Sequence, residues 1–154
     1  MTIDELFQQQ DLEKNMKFAI EKIKEQPGRL NDMLEIQFVE CDAKERTVTY
    51  ELPFLEWEMN PKGILHGGIT AAMMDLSLGL FANCICWQLG GFFAPTVNMN
   101  MNYLQPISFN DRICIKAQLV SSGRSLLILN GEARAKGCEQ IAVTASATYK
   151  VMRK

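Results

Sequence analysis

The 154-residue chain contains one histidine, two tryptophans and no Cys-x-x-Cys pair. A lone His66 cannot supply the His/Cys sets that hold zinc, so no metal site is expected. The five cysteines (Cys41, Cys84, Cys86, Cys114, Cys138) are odd in number and have no framework spacing. They read as reduced thiols of a cytoplasmic protein. Positive charge is not in excess either: 16 Lys and Arg against 18 Asp and Glu leave a formal net charge of −2. That balance gives no electrostatic reason to expect a nucleic-acid partner. Residues 1–25 are of mixed charge and lack an apolar segment, so nothing there resembles a signal peptide. Repeats, linkers and low-complexity tracts are missing too. What remains is an ordinary globular composition, 47% hydrophobic and 22% charged. A chain of this length fits one domain and buries roughly 68–70% of its unfolded surface.

Periodicity orders the elements. Thr2 with Glu5 offers a capping box, and Leu12, Met16, Ala19, Ile20 and Ile23 recur at helical spacing until Pro27-Gly28. Leu34, Ile36 and Phe38 alternate on one arm of a hairpin, Val48, Tyr50 and Leu52 on the other, with a polar turn at 42–46 between them. Residues 53–63 read as a loop, 67–87 as a long helix ended by Gly90-Gly91. Four strands follow. Val97, Met99, Met101 and Tyr103 alternate with Asn98, Asn100 and Asn102; Ile113 to Leu119 and Ile141 to Tyr149 alternate likewise; Leu126 to Leu129 is a continuous apolar run. Residues 69–89 are about long enough to cross a bilayer. Asp75 at the bilayer centre would cost roughly 2.5–3.5 kcal/mol, however, and no positive flank anchors either end, so no membrane partner is expected. A helix apolar on almost every side must instead be enclosed, and the antiparallel strands after it can twist around it. The expected class is α+β: the hotdog fold, a long central helix wrapped by a curled antiparallel sheet of about six strands. Residues 1–30 form an extra N-terminal helix and turn, and 31–154 the domain proper.

The motif Asn60-x5-His66-Gly67-Gly68-x6-Asp75, followed by Thr96-Val-Asn-Met-Asn-Met-Asn-Tyr-Leu-Gln-Pro106, resembles the hotdog-fold acyl-CoA thioesterases of the phenylacetic-acid-degradation type. The similarity runs from about Asn31 to the C-terminus. It implies that Asp75 is the catalytic carboxylate, and that Asn60, His66 and the Gly67 amide surround the thioester carbonyl. It also implies that the hydroxyl of Thr96, where family members often carry serine, helps hold the attacking water. The turn Ser122-Gly123-Arg124-Ser125 becomes a candidate for gripping coenzyme A phosphates, with Arg124 as the charge partner. Coenzyme A is then part of the substrate, no cofactor is needed, and the assembly is a homodimer, paired again into a dimer of dimers.

The residues support that chemistry on their own terms. A helix N-terminus carries unpaired N–H groups and about half a positive charge. Glycines such as Gly67 and Gly68 let a ligand approach that backbone. Asp75 supplies the base or nucleophile that hydrolysis requires. Eight residues separate Gly67 from Asp75, about 12 Å along one helix. One thioester cannot touch both. The geometry therefore predicts a site shared between two antiparallel copies of the helix across a dimer interface.

Plainer readings exist for each feature alone. His66-Gly67-Gly68 serves as a turn into a helix, Asp75 as a structural carboxylate, and Cys84 and Cys86 as core filling. Two other functions share the fold: a non-catalytic acyl-CoA-binding protein, and a hydratase or dehydratase. The joint spacing of Asn60, His66 and Asp75 favours hydrolysis over both. Which acyl group is hydrolysed stays open between aromatic, short and medium chains; Leu55, Trp57, Phe92 and Phe93 are candidates for shaping its pocket.

Overall fold

The segment 67–88 is apolar around its whole circumference and needs partners on every side. The computed structural model, which describes residues 8–109 and 112–154, supplies them. In chain order the elements are α1 (Gln9–Lys24), α2 (Leu30–Met33), β1 (Gln37–Asp42), β2 (Thr47–Pro53), a 3-10 turn (Glu56–Glu58), α3 (Gly67–Gln88), β3 (Thr96–Tyr103), β4 (Arg112–Ser122), β5 (Leu126–Ala135) and β6 (Val143–Lys150). One six-stranded sheet in the order β1-β2-β4-β5-β6-β3 is antiparallel at every pairing. It curls around α3. This is the hotdog fold.

Alternation along the strands builds the core. Val48, Tyr50 and Leu52 of β2, Ile113, Ile115, Ala117 and Leu119 of β4, and Val143, Ala145, Ala147 and Tyr149 of β6 are all buried facing α3. The helix returns Met73, Met74, Leu78, Phe81 and Ile85. By length and composition α3 could cross a membrane, but in this fold 67% of its most apolar window is buried inside the protein. The open side of the wrap is closed by α1, which buries Leu12, Met16, Ala19 and Ile20, the expected helical face. The proposed Thr2–Glu5 cap lies outside the described residues.

Two expectations change, and the apolar run of β5 divides between two faces. Leu34 and Ile36 are buried but precede β1: Leu34 caps α2, whose turn is held by the Gly28 N–H donating to Asp32 Oδ2 at 2.9 Å, and Glu35 leaves it with a left-handed φ of 52°. A bulge between Phe38 and Glu40 then turns Cys41 inward. Within the apolar run Leu126–Leu129, Leu127 and Leu129 face the core, while Leu126 and Ile128 stay exposed on the outer face. The apolar side of β3 is only half used. Met99 and Met101 pack against the core, yet Val97 and Tyr103 are more than half exposed, because β3 is the sheet edge and lacks a neighbour on one side.

Beyond α3 the chain reverses at Gly90, whose φ is 76°. The next residue, Gly91, is pinned by its N–H to the Cys86 carbonyl at 2.8 Å. A Cβ at Gly91 would lie 2.5 Å from Cys86 Sγ and 2.9 Å from the Met152 carbonyl oxygen. Gly91→Ala is therefore expected to destabilise the fold by about 1–3 kcal/mol. Urea denaturation should show a lower midpoint at unchanged slope; an unchanged midpoint would contradict this packing.

Candidate active site

The loop from β2 to α3 is organised by two polar side chains. Glu58, fully buried, accepts the Leu55 N–H at 2.8 Å through Oε2, and its carbonyl accepts the His66 N–H at 2.9 Å. Its Oε1 has no partner. Burial holds the Glu58 carboxyl above its ordinary value against the lowering effect of the Leu55 N–H, and nearby Glu35 adds to the rise. Asn60 closes the following turn. Its Oδ1 accepts the N–H groups of Lys62 (2.9 Å) and Ile64 (3.2 Å), which leaves the side-chain NH2 as the free end.

At the start of α3, His66 is the N-cap residue. Its Nδ1 accepts the Gly68 N–H at 2.9 Å, an arrangement that puts the ring proton on Nε2. A Cβ on Gly68 would sit 3.2 Å from that Nδ1, so the glycine makes room for the imidazole. The Gly67 N–H is left without a partner, as helix geometry requires of a first-turn donor. Tyr103 at the end of β3 donates its hydroxyl to the Gly67 carbonyl at 2.8 Å. Asn60, Gly67, Thr70 and Tyr103 line a cavity of about 310 Å³.

Asp75 lies two turns further along α3 in a different cavity, of about 210 Å³, with Gly79, Asn83, Phe93, Thr96 and Tyr149. The Thr96 hydroxyl donates to Asp75 Oδ1 at 2.7 Å. Tyr149, opposite Thr96 in the β3–β6 register, brings its hydroxyl within 3.4 Å of the same oxygen. Burial, and after it the Asp75 charge, push the Tyr149 phenol well up, so it remains a donor. The strand start carrying Thr96 is fixed from both sides. Asn83 Oδ1 accepts the Ala94 N–H at 2.9 Å, and the Lys150 N–H donates to the Pro95 carbonyl at 3.0 Å.

The structure thus joins Asp75 to Thr96 in one cavity and Asn60 to Gly67 in another, with His66 and Gly68 bonded to each other at the start of α3 and exposed outside both linings; the two cavities share no lining residue. Arg124 and Ser125 are exposed at the β4–β5 turn, away from both cavities; the Arg124 carbonyl accepts from Arg153 at 2.6 Å. Of the four residues expected to shape the acyl pocket, Phe93 lines the Asp75 cavity, while Leu55, Trp57 and Phe92 line neither. Cys84 and Cys86 are buried and their thiols raised by that burial, Cys84 to about 12, which suits core filling. Among the described residues no group of three His, Cys, Asp or Glu side chains could hold a metal ion. The sequence reading missed Tyr149, Tyr103, Asn83 and Glu58. For Tyr149 a signal existed: the last inward position of β6 places a hydroxyl where a buried one must find a partner.

Fold and site define a hotdog protein with a helix-terminal donor group and a mid-helix carboxylate. The family model described as the thioesterase superfamily matches residues 62–142, and the chain belongs to that superfamily. Acyl-coenzyme A thioesterase 13 of Mus musculus is 35% identical over 78 residues, which are 49% of this chain and 52% of that protein. The chain thus spans about half the length of the curated relatives it matches. Among solved structures, the E. coli PaaI protein from the phenylacetic acid degradation operon superposes with a TM-score of 0.76 at 15% identity, covering 92% of this chain and 96% of that one. A Streptococcus mutans protein bound to acetyl CoA superposes at 0.67 with 23% identity, covering 78% and 92%. These likenesses speak for the fold.

The buried Glu58 generates a pH prediction. Its folded value lies above the unfolded 4.5, so the stability it contributes is fully present below about pH 4.5 and is lost as pH rises through the raised value. Glu58→Gln keeps the shape and the acceptor without the charge. Urea midpoints should match wild type near pH 4, exceed it increasingly as pH rises above 4.5, and hold a constant excess once pH has passed the raised value. A difference independent of pH would contradict a buried, proton-holding carboxyl.

Proposed function

We propose that the chain is an acyl-CoA thioesterase whose active site is shared between two copies. The observation that carries this reading is the separation of the two half-sites within one chain. Gly67 and Asp75 are eight residues apart on a single straight helix, about 12 Å. Strand β3 spans the same gap: Thr96 at one end belongs to the Asp75 cavity, and Tyr103 at the other to the Gly67 cavity. Its outer edge is unpaired. Pairing that edge with itself, antiparallel across a two-fold axis, sets the Thr96 end of one copy against the Tyr103 end of the other. The carboxylate of one chain then meets the donors of its partner. Exposed Val120, Leu126 and Ile128 on the sheet's outer face support a further pairing of such dimers.

The chemistry follows from the atoms available. Thr96 occupies Asp75 Oδ1, which leaves Oδ2 free to accept a proton from water or to attack the thioester carbonyl carbon directly. In either route the carbonyl oxygen gains negative charge beside the Gly67 N–H and the Asn60 NH2. Each donor aimed at such an oxyanion is typically worth ~2.7–4 kcal/mol. The carbon–sulfur bond then breaks and the thiolate leaves with the pair of electrons. Where Asp75 has activated water, it returns that proton to the thiolate as the free acid departs. Where Asp75 has attacked directly, water hydrolyses the mixed anhydride left on it, a proton of that water goes to the thiolate, and the carboxylate is restored. A thiolate leaves readily, so no serine or cysteine triad is required. The mouse relative's name, acyl-coenzyme A thioesterase 13, supports coenzyme A as the carrier.

A panel of acyl-CoAs with a free-thiol reagent tests this reading: hydrolysis releases thiol, whereas a hydratase or a mere binder does not. Asp75→Asn should lower hydrolysis by ~10²–10⁴-fold in a folded protein. Thr96→Val should cost about tenfold in kcat, on the ~1–1.5 kcal/mol of one hydrogen bond, and Thr96→Ser should retain most activity. A folded Asp75→Asn protein as fast as wild type would overturn the assignment.

A further inference from the structure

Most of α3 is enclosed, but beyond its first turns Asp75, Gly79, Asn83 and Trp87 remain partly exposed at strict four-residue spacing, one stripe down one face. Gly79 presents no side chain there. The amide of Asn83 is engaged at both ends, by the Ala94 N–H on Oδ1 and by the Gly79 carbonyl on Nδ2, so beyond Asp75, which heads the stripe with its free Oδ2, this wall carries no charged group. Beside the stripe the Asp75 cavity continues into a groove of about 660 Å³ between α1 and α3, and the two share Asn31, Leu80, Asn83 and Phe93. Phe18, Leu30, Phe92 and Phe93 stand about half exposed around this groove, a concentration of apolar surface that a soluble protein rarely leaves bare. At its far end the Phe18 ring meets Trp87 edge to face at 6.1 Å, and Trp87 Nε1 donates to the Phe92 carbonyl at 3.3 Å. Lys22, over the Phe18 ring, is neutralised by Glu25 at 2.9 Å.

We infer that this groove receives the acyl group of the thioester, and that the Phe18–Trp87 pair closes it and sets the length of chain accepted. The inference rests on the proposed function only in placing the thioester end at Asp75. Twelve residues of α3 separate Asp75 from Trp87, about 18 Å, room for a linear apolar chain of about a dozen carbons. Beyond Asp75 the α3 wall carries no charge to pair with an occupant charged along its length. An acetyl group would leave the groove empty.

The two tryptophans of the chain make a direct test. Trp57→Phe, at an exposed position outside both half-sites, leaves Trp87 as the sole indole. This protein is titrated with non-hydrolysable thioether analogues of acyl-CoA from two to sixteen carbons. The Trp87 emission should shift to shorter wavelength with the dodecyl analogue and stay unchanged with the acetyl one. A companion variant, Trp87→Ala, should raise the kcat/KM ratio of hexadecanoyl-CoA to decanoyl-CoA by about tenfold. If that variant fails to fold, Phe18→Ala on α1 opens the same end. Thiol release from long acyl-CoAs with Trp87 emission blind to every analogue would overturn the inference while leaving the thioesterase reading intact. Emission already shifted and unresponsive, as a second copy covering the groove would give, also overturns it. No thiol release from any acyl-CoA would instead overturn the proposed function, and the emission shift would still report whether an acyl chain binds.

Discussion

A straight helix cannot bring its own N-terminus to a side chain two turns away. The sheet wraps α3 so fully that the helix has no freedom to bend: Met73, Met74, Leu78, Phe81 and Ile85 are locked between strands and α1. The unpartnered Gly67 N–H and the Asp75 carboxylate are therefore held at a fixed separation of about 12 Å, set by helical rise alone. Everything proposed about the site follows from that rigidity. The donors and the carboxylate are each preorganised, and neither can complete the other within one chain.

Each half is built with its own supports. On the donor side, Glu58, Asn60 and His66 spend their acceptors on backbone N–H groups of the loop and the first helical turn, which fixes the backbone and leaves the Gly67 N–H and the Asn60 NH2 as spare donors. On the carboxylate side, Thr96 and Tyr149 donate to one oxygen of Asp75 and leave the other open. Preorganised donors cost no rearrangement when charge develops, which is why such groups are worth more here than in water. The same edge strand, β3, carries one member of each half, Thr96 and Tyr103, so any partner that adds to this edge registers both halves at once.

Much of the fold was legible because burial obeys period. The alternation on β2, β4 and β6 and the all-round apolarity of residues 67–88 left one consistent architecture, and the structure has it. What period could not reveal was context beyond one strand. Leu126 to Leu129 is apolar at every position, yet half of the run faces outward, since apolarity alone does not say which neighbours exist. Leu34 and Ile36 alternated correctly but belong to a helix cap and a loop, where a short Asp32-held turn overrode strand propensity. For the candidate site, Gly67 and Asp75 stand out by type and spacing, while Asn60, His66 and Thr96 stand out by the resemblance that their motif carries. Asn83 and the partner of Tyr149 could not be named: they depend on pairings 11 and 74 residues apart in sequence, and the inward position of Tyr149 said only that its hydroxyl needs a partner, not which one.

The central claim is that each active site takes its carboxylate from one chain and its donors from another. Hybrid dimers test it most directly. Chains carrying Asp75→Asn and chains carrying Asn60→Ala, each nearly inactive as homodimers, are co-expressed with distinguishable tags and the mixed species purified. In a shared-site dimer one site collects both lesions and the other none, so the hybrid should recover about half of wild-type activity if the sites act independently. If each site were made by one chain, every site in the hybrid would carry one lesion, and a hybrid as inactive as its parents would contradict the account.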